Sequence, residues 1–264
     1  ALDRRRAVGK LVNLSDVLVH NPLAGKVGIG HTRWATHGAP NVGNAHPHRA
    51  TDVAVIHNGI IENFRELREF LTENGIGYVT DTDTETVALL CQYYLDQGNS
   101  PREAAEQTIA RLDGAYALCF LFQGQADLLI AARKGSPLAI GHGEGEMFVG
   151  SDAIALAPMT DQITYLEEGD WAVITRNSLE IRDINGAIAS RAVTKTNIDA
   201  AMIDKGGHKH FMAKEIAEQP TVLSEAVGHY VAAEGAEINL PGAGIDFTKF
   251  DRIIMVACGT ANLA

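Results

Sequence analysis

The 264-residue sequence has no apolar run approaching the roughly 20 residues that a membrane-spanning helix needs, so no transmembrane segment is expected. Cysteine is scarce. Cys91, Cys119 and Cys258 lie far apart and form no CxxC pair, which argues against a disulfide scaffold or a zinc finger and favours a reducing, cytoplasmic setting. Positive charge is in deficit: 22 Lys and Arg against 33 Asp and Glu give a formal net charge of −11. Such a surface disfavours nucleic acid and anionic membranes as partners, although a local basic pocket can still hold a small anion. A P-loop, a GxSxG elbow and a complete GxGxxG are all missing, which removes common signatures of nucleotide binding and serine hydrolysis. The opening "ALDRRRAVGK" has a basic cluster with no apolar core behind it, so it is no secretory signal. It also lacks an initiator methionine, and the expectation is a chain that is processed, trimmed or begun within something longer.

What is present suits a globular protein. Hydrophobic residues make up 46% and charged residues 21%, enough for a core in one large or two modest domains. "KVGIGH" (26–31) reads as a short strand. "TDVAVIHNG" (51–59) reads as a strand ended by Asn-Gly. The stretch 61–75 is helical in pattern, with Phe64, Leu67, Phe70 and Leu71 on one face. A second helix is expected over 81–98, with an Asp/Thr-rich start, and a third after Ser100 as cap and Pro101 in the first turn. From "GAYALCFLF" to "LEIRDING" strands follow one another with hairpin-sized turns, which predicts antiparallel sheets in a layered mixed α and β domain. After residue 191 the chain turns polar. A helix "HFMAKEIAEQP" is expected to stop at Pro220, and "FDRIIMVACGTANLA" reads as the opening strand and small-residue loop of an α/β domain.

The richest segment is "GIGHTRWATHG" (28–38). Arg33 offers a planar fork suited to a carboxylate, and flanking glycines let a ligand approach the backbone. A lone surface arginine is more often a weak ion-pair partner; here His31, Thr32, Trp34, Thr36, His37 and Gly38 surround it, as in a ligand loop. Asn58 and Gly59 after "VAVIH" can supply a carboxamide N–H and a main-chain N–H to one oxyanion. Asn-Gly alone is usually a hairpin turn, but a helix pattern follows it rather than a partner strand. Asp81 and Asp83 read first as helix caps; a carboxylate there can also take a ligand ammonium, so that Arg33 and an Asp would grip both charges of an amino acid's α-carbon. His31, His37, His46, His48 and His57 crowd together, but no pair has the i, i+4 spacing of a metal helix, so they read as hydrogen-bonding residues that stiffen loops, and no metal is expected. No cysteine has the setting of a nucleophile: Cys91 and Cys119 read as small core residues.

Taken together, "GIGHTRWATHG", "NAHPH", "VIHNGIIENF", "TDTE", "LDGAYAL", "LEEGD", "HFMAKEI.EQP" and "ACGTA" resemble the class II glutamine amidotransferases, in the family's order and over nearly the whole chain. The resemblance implies an α+β fold, the four-layer αββα sandwich of N-terminal-nucleophile hydrolases, followed by a linker and the first strand of an α/β sugar-isomerase domain. It implies boundaries at residues 1–198, 199–222 and 223–264 for these three parts. It assigns Arg33 to the α-carboxylate of glutamine, Thr36 and His37 to the same loop, Trp34 to gating of the ammonia path, Asn58 and Gly59 to the oxyanion hole and Asp83 to the α-amino group. The connector and "CGTA" point to the branch that uses L-glutamine and fructose 6-phosphate, with no metal or organic cofactor, as a homodimer. Rivals are amidotransferases making phosphoribosylamine, asparagine or glutamate, a noncatalytic amino-acid-binding module, and, more distantly, a histidine-based metal hydrolase. One departure stands out: the family's nucleophile is an N-terminal cysteine, whereas this sequence starts Ala1-Leu2-Asp3. The expectation is therefore a fragment that is inactive alone.

Overall fold

The computed structural model describes residues 2–196 and 205–231, together with 246, 249–252 and 254. The chain divides into two compact units, Ala1–Ile203 and Asp204–Ala264.

In the first unit, α1 (Leu11–His20), a helix without a buried residue, precedes β1 (His48–Arg49) and β2 (Val53–Ile61). Three helices follow: α2 (Phe64–Glu73), α3 (Asp83–Asp96) and α4 (Pro101–Ile109). The last starts with a complete capping box, Ser100 and Glu103 each bonding the other's main chain, with proline at the first turn. Then come β3 (Gly114–Phe122), β4 (Leu129–Lys134), β5 (Ala139–His142), β6 (Met147–Gly150), the short α5 (Ala153–Leu156) and β7 (Gln162–Tyr165). The unit closes with β8 (Trp171–Thr175), β9 (Ser178–Arg182), β10 (Ile188–Ala189) and β11 (Val193–Lys195).

The strands form two sheets, ordered β1-β2-β3-β4-β8-β9-β10 and β11-β7-β5-β6, and every pairing is antiparallel. Side-chain alternation shows how they stack. On β3, Tyr116, Leu118, Phe120 and Phe122 join Leu67, Leu71, Val87, Leu90 and Ala104 of the helices in one core. The alternate residues Ala117, Cys119 and Leu121 face a second core with Leu138 and Ile140, which belong to or border the smaller sheet. That sheet's other face carries a third cluster, in which Ala139 and Ile163 meet Ala153 and Leu156 of α5. The order is helix, sheet, sheet, helix, the αββα sandwich expected. Covering on both faces explains why β3 reads as an unbroken apolar run instead of an alternating one.

Several local expectations change. Residues 26–31 form no strand, although Val27 and Ile29 pack against the inter-sheet core. Asn58 and Gly59 do not end β2. They lie inside it, paired with Ala117 and Tyr116, and the strand runs on to Ile61 before α2 begins. The helix expected from residue 81 starts at Asp83. In the second unit, α6 (Phe211–Tyr230) passes through Pro220. Proline withholds one main-chain N–H, yet Ala, Glu, Gln and Leu on both sides are strong helix formers and carry the helix onward. The strand expected at 253–257, Cys258 and the Gly259-Thr260 loop lie outside the described residues apart from Ile254.

Candidate functional site

The site forms where the C-terminal half of β2 meets the N-terminus of α3. A cavity of about 280 Å³ is lined by His31, Arg33, Trp34, Thr36, His37, His46, His57, Asn58, Gly59, Ile60, Thr82, Asp83 and Thr84. Arg33, Trp34, Thr36, His37, Asn58, Gly59 and Asp83, drawn from three separate stretches of sequence, are all among them.

Asp83 is buried and its carboxylate is tied to main chain on both sides. Its Oδ2 accepts from the Ile61 N–H at 2.9 Å and its Oδ1 from the Thr84 N–H at 2.9 Å. The first bond docks α3 onto the end of β2 and sets the cavity floor. Two carboxylate oxygens offer about four acceptor positions, so capacity for a cationic ligand remains. Asp81 plays no part in capping α3. It exchanges bonds with Asn44, whose Nδ2 donates to Asp81 Oδ2 at 3.2 Å and whose Oδ1 accepts from the Asp81 N–H at 3.2 Å.

Arg33 is spent largely on its own loop. It donates to the carbonyls of His37, Gly38 and Ala39 and so folds residues 33–39 around the cavity mouth. A guanidinium has five N–H donors, so two remain for a ligand. Trp34, beside it, is 89% exposed.

Gly59 has φ +120°, and a Cβ there would lie 2.0 Å from the Ala115 carbonyl oxygen. No other residue fits, because the positive φ and the close approach of β3 together exclude a side chain. Next to it, Asn58 is exposed, and its Oδ1 lies 2.7 Å from His31 Nε2.

The histidines are organised by two threonines of α3's start. His46 Nε2 and His57 Nδ1 lie 2.9 Å and 3.1 Å from Thr84 Oγ1, and His48 Nε2 lies 3.0 Å from Thr82 Oγ1. Burial pushes all three rings down, His46 to about 2 and His48 and His57 to about 4. The Asp83 carboxylate pulls His57 in the opposite direction without overcoming burial. They are therefore neutral at pH 7, each with one N–H to place. Among the described residues, the buried side-chain atoms left without partners are His31 Nδ1, His37 Nδ1, His46 Nδ1 and His57 Nε2. For His46 and His57 those are the nitrogens facing away from Thr84, so placing each N–H on the threonine side leaves only bare lone pairs unpaired, the cheaper arrangement. Among the described residues no three His, Cys, Asp or Glu side chains converge as a metal-binding set. Both described cysteines are buried, and burial pushes Cys91 and Cys119 up to about 12, far from a nucleophile's range.

The sequence singles out residues 28–38, the Asn-Gly pair and Asp83, and one cavity brings residues of all three together. The Thr84 hub, the Asn44–Asp81 pair and the contact between His31 and Asn58 are not legible in it. The only signal for these was the density of His, Thr and Asn in the same segments.

Residues 35–158 match the glutamine amidotransferase domain family. The chain carries that domain over these 124 residues, just under half of its length. Over all of its length it is 54% identical across 264 residues to the glutamine–fructose-6-phosphate aminotransferase (isomerizing) of Bradyrhizobium diazoefficiens, and 55% identical across 263 residues to that of Brucella abortus. It spans 43% of the length of each. Among solved structures it is similar to the glutamine phosphoribosylpyrophosphate amidotransferase of B. subtilis, at 26% identity and a TM-score of 0.48, over 60% of this chain and 35% of that one. Among the described residues no helix is long and apolar enough to cross a membrane.

Proposed function

We propose that this chain is the glutamine-binding half of an enzyme that transfers the amide nitrogen of L-glutamine to fructose 6-phosphate, giving glucosamine 6-phosphate and L-glutamate. One observation carries the reading: an Arg fork, a carboxamide beside an unsubstitutable glycine, and a main-chain-anchored carboxylate line the same 280 Å³ cavity. Identity above 50% with two such aminotransferases over the whole chain supports the choice of sugar acceptor.

In this reading the α-carboxylate of glutamine lies against Arg33, which keeps donors free for it, and its ammonium lies against Asp83. The side-chain amide then reaches Asn58 and Gly59. A thiolate attacks the amide carbon, the carbonyl oxygen becomes an oxyanion, and Asn58 Nδ2–H with the Gly59 N–H stabilises it in a site of low dielectric. The proton given up by the thiol passes to the amide nitrogen, so the tetrahedral adduct collapses to a thioester and ammonia. Water then hydrolyses the thioester to L-glutamate and restores the thiol, while the ammonia must stay shielded from bulk water to remain a nucleophile. Thr36 and His37 shape the loop, and Trp34, exposed at the mouth, closes the path once substrate is bound. The thiolate comes from a part of the full-length protein other than Cys91 and Cys119. Residues 1–198 form the amidotransferase domain, 199–222 the linker and 223–264 the beginning of the sugar-isomerase domain. The full-length protein works as a cytoplasmic homodimer and needs no organic cofactor.

The test is glucosamine 6-phosphate formation by the full-length protein from glutamine and fructose 6-phosphate. Arg33→Ala should raise KM for glutamine about tenfold or more while altering kcat less, because orientation of the ground state is what Arg33 supplies. Full-length protein that forms no amino sugar from these substrates would refute the reading.

A further inference from the structure

An amide side chain has two faces of opposite character, and an oxyanion hole works only if the correct one is presented. Asn58 Oδ1 repels a developing oxyanion and Nδ2–H binds it. The terminal torsion of asparagine is broad and nearly two-fold, so the side chain does not select its own orientation. Something adjacent must do so.

We infer that His31 is the positioning residue of the oxyanion hole, holding Asn58 Oδ1 with its Nε2–H so that Nδ2–H₂ is turned to the reacting carbonyl. This rests on the glutamine chemistry proposed above. Four observations carry it. His31 Nε2 and Asn58 Oδ1 are 2.7 Å apart, at the short end of the range for an N–H donor on a carbonyl oxygen. The His31 ring is held in place, with its centroid 4.3 Å from that of His46, which is itself anchored on Thr84. His31 Nδ1 is buried without a partner, so the ring's single proton belongs on Nε2. The opposite assignment would bury an N–H with no acceptor and present the Asn58 oxygen to the oxyanion, two costs at once. Finally, Asn58 Nδ2 has no partner among the described residues and lies on the cavity wall.

Burial holds the ring below the ordinary histidine range, and Arg33 nearby adds to this, while the Asn58 hydrogen bond and the His57 main chain act the other way. The net result is a neutral ring with one proton at pH 7. Nothing is transferred from His31 in the reaction; its proton serves only as a fixed donor.

Two measurements test this. Long-range proton–nitrogen NMR on histidine-labelled chain reads the tautomer directly. The expected result is an Nε2–H imidazole with a bare Nδ1; an Nδ1–H ring overturns the inference. Glutamine hydrolysis by the full-length protein reads the consequence. Removing a whole oxyanion donor costs about 10²–10³ in kcat, so letting Asn58 rotate should cost roughly 10- to 100-fold. His31→Leu should show that loss in kcat with KM for glutamine within about twofold, since the α-carbon contacts are untouched. His31→Gln, whose terminal N–H₂ can reach the place of Nε2–H, should recover most of it. A His31→Leu enzyme with wild-type kcat, or a folded His31→Gln enzyme no better than His31→Leu, overturns the inference. Wild-type protein that hydrolyses no glutamine overturns the parent reading instead, and the tautomer still decides the contact.

Discussion

Acidification should unfold this domain earlier than its carboxylates would require. His48 and His57 are buried and His46 is half-buried, and loss of hydration lowers His46 to about 2 and His48 and His57 to about 4 from an ordinary value near 6.5. His46 faces His31, His48, His57 and Arg33; His48 faces Glu85, Arg4 and Arg6; His57 faces Asp83, His31 and His37. Because the folded chain binds protons less readily than the unfolded one, stability is complete above about pH 6.5 and falls as pH drops toward the folded values. At pH 5 each ring lies about 1.5 pH units below its unfolded value, worth about 2 kcal/mol, and the three together about 6 kcal/mol. That rivals the whole stability of an average domain. Urea unfolding followed by circular dichroism at pH 7.5, 6.5, 5.5 and 5.0 measures it. The slope below pH 6 should approach three protons, about 4 kcal/mol per pH unit, and His48→Gln should remove about one. Stability that stays level from pH 7.5 to 5.0 would refute the argument that these rings are withdrawn from water and neutral.

Two further outcomes follow from the same site. Gly59→Ala places a Cβ against the Ala115 carbonyl at φ +120° and should cost at least about 3 kcal/mol of stability, read by thermal unfolding, along with all glutamine turnover in the full-length protein. Thr84→Val keeps the shape but strips the hydroxyl shared by His46 and His57, leaving two buried N–H groups unpaired; about 2–4 kcal/mol should be lost, and Thr84→Ser should restore most of it.

Much of the site was legible because its chemistry is concentrated in short words. "HTRWATHG", "HNG" and "TDTE" each hold residue types whose combination is rare, and the cavity brings all three together. The layer order was legible from helices followed by hairpin-spaced strands. What sequence could not show depends on pairing across distance. Asn58-Gly59 has the local signature of a turn, but β3 supplies a partner for every residue of β2 and draws both into the strand. "KVGIGH" has strand composition yet packs without a ladder. His31 and Asn58, 27 positions apart, meet only because residues 31–39 wrap back over the end of β2. Pro220 reads as a stop, but a twenty-residue helix of good formers absorbs it.

The central claim is that this cavity holds the head of a glutamine molecule, and calorimetric titration of the chain with L-glutamine and L-glutamate tests it most directly. Arg33→Ala and Asp83→Ala are run beside the wild type, with circular dichroism to confirm folding. The account predicts heat of binding for the wild-type chain that disappears in both variants. Folded wild-type chain that binds neither amino acid, or folded variants that bind as well as the wild type, would contradict it.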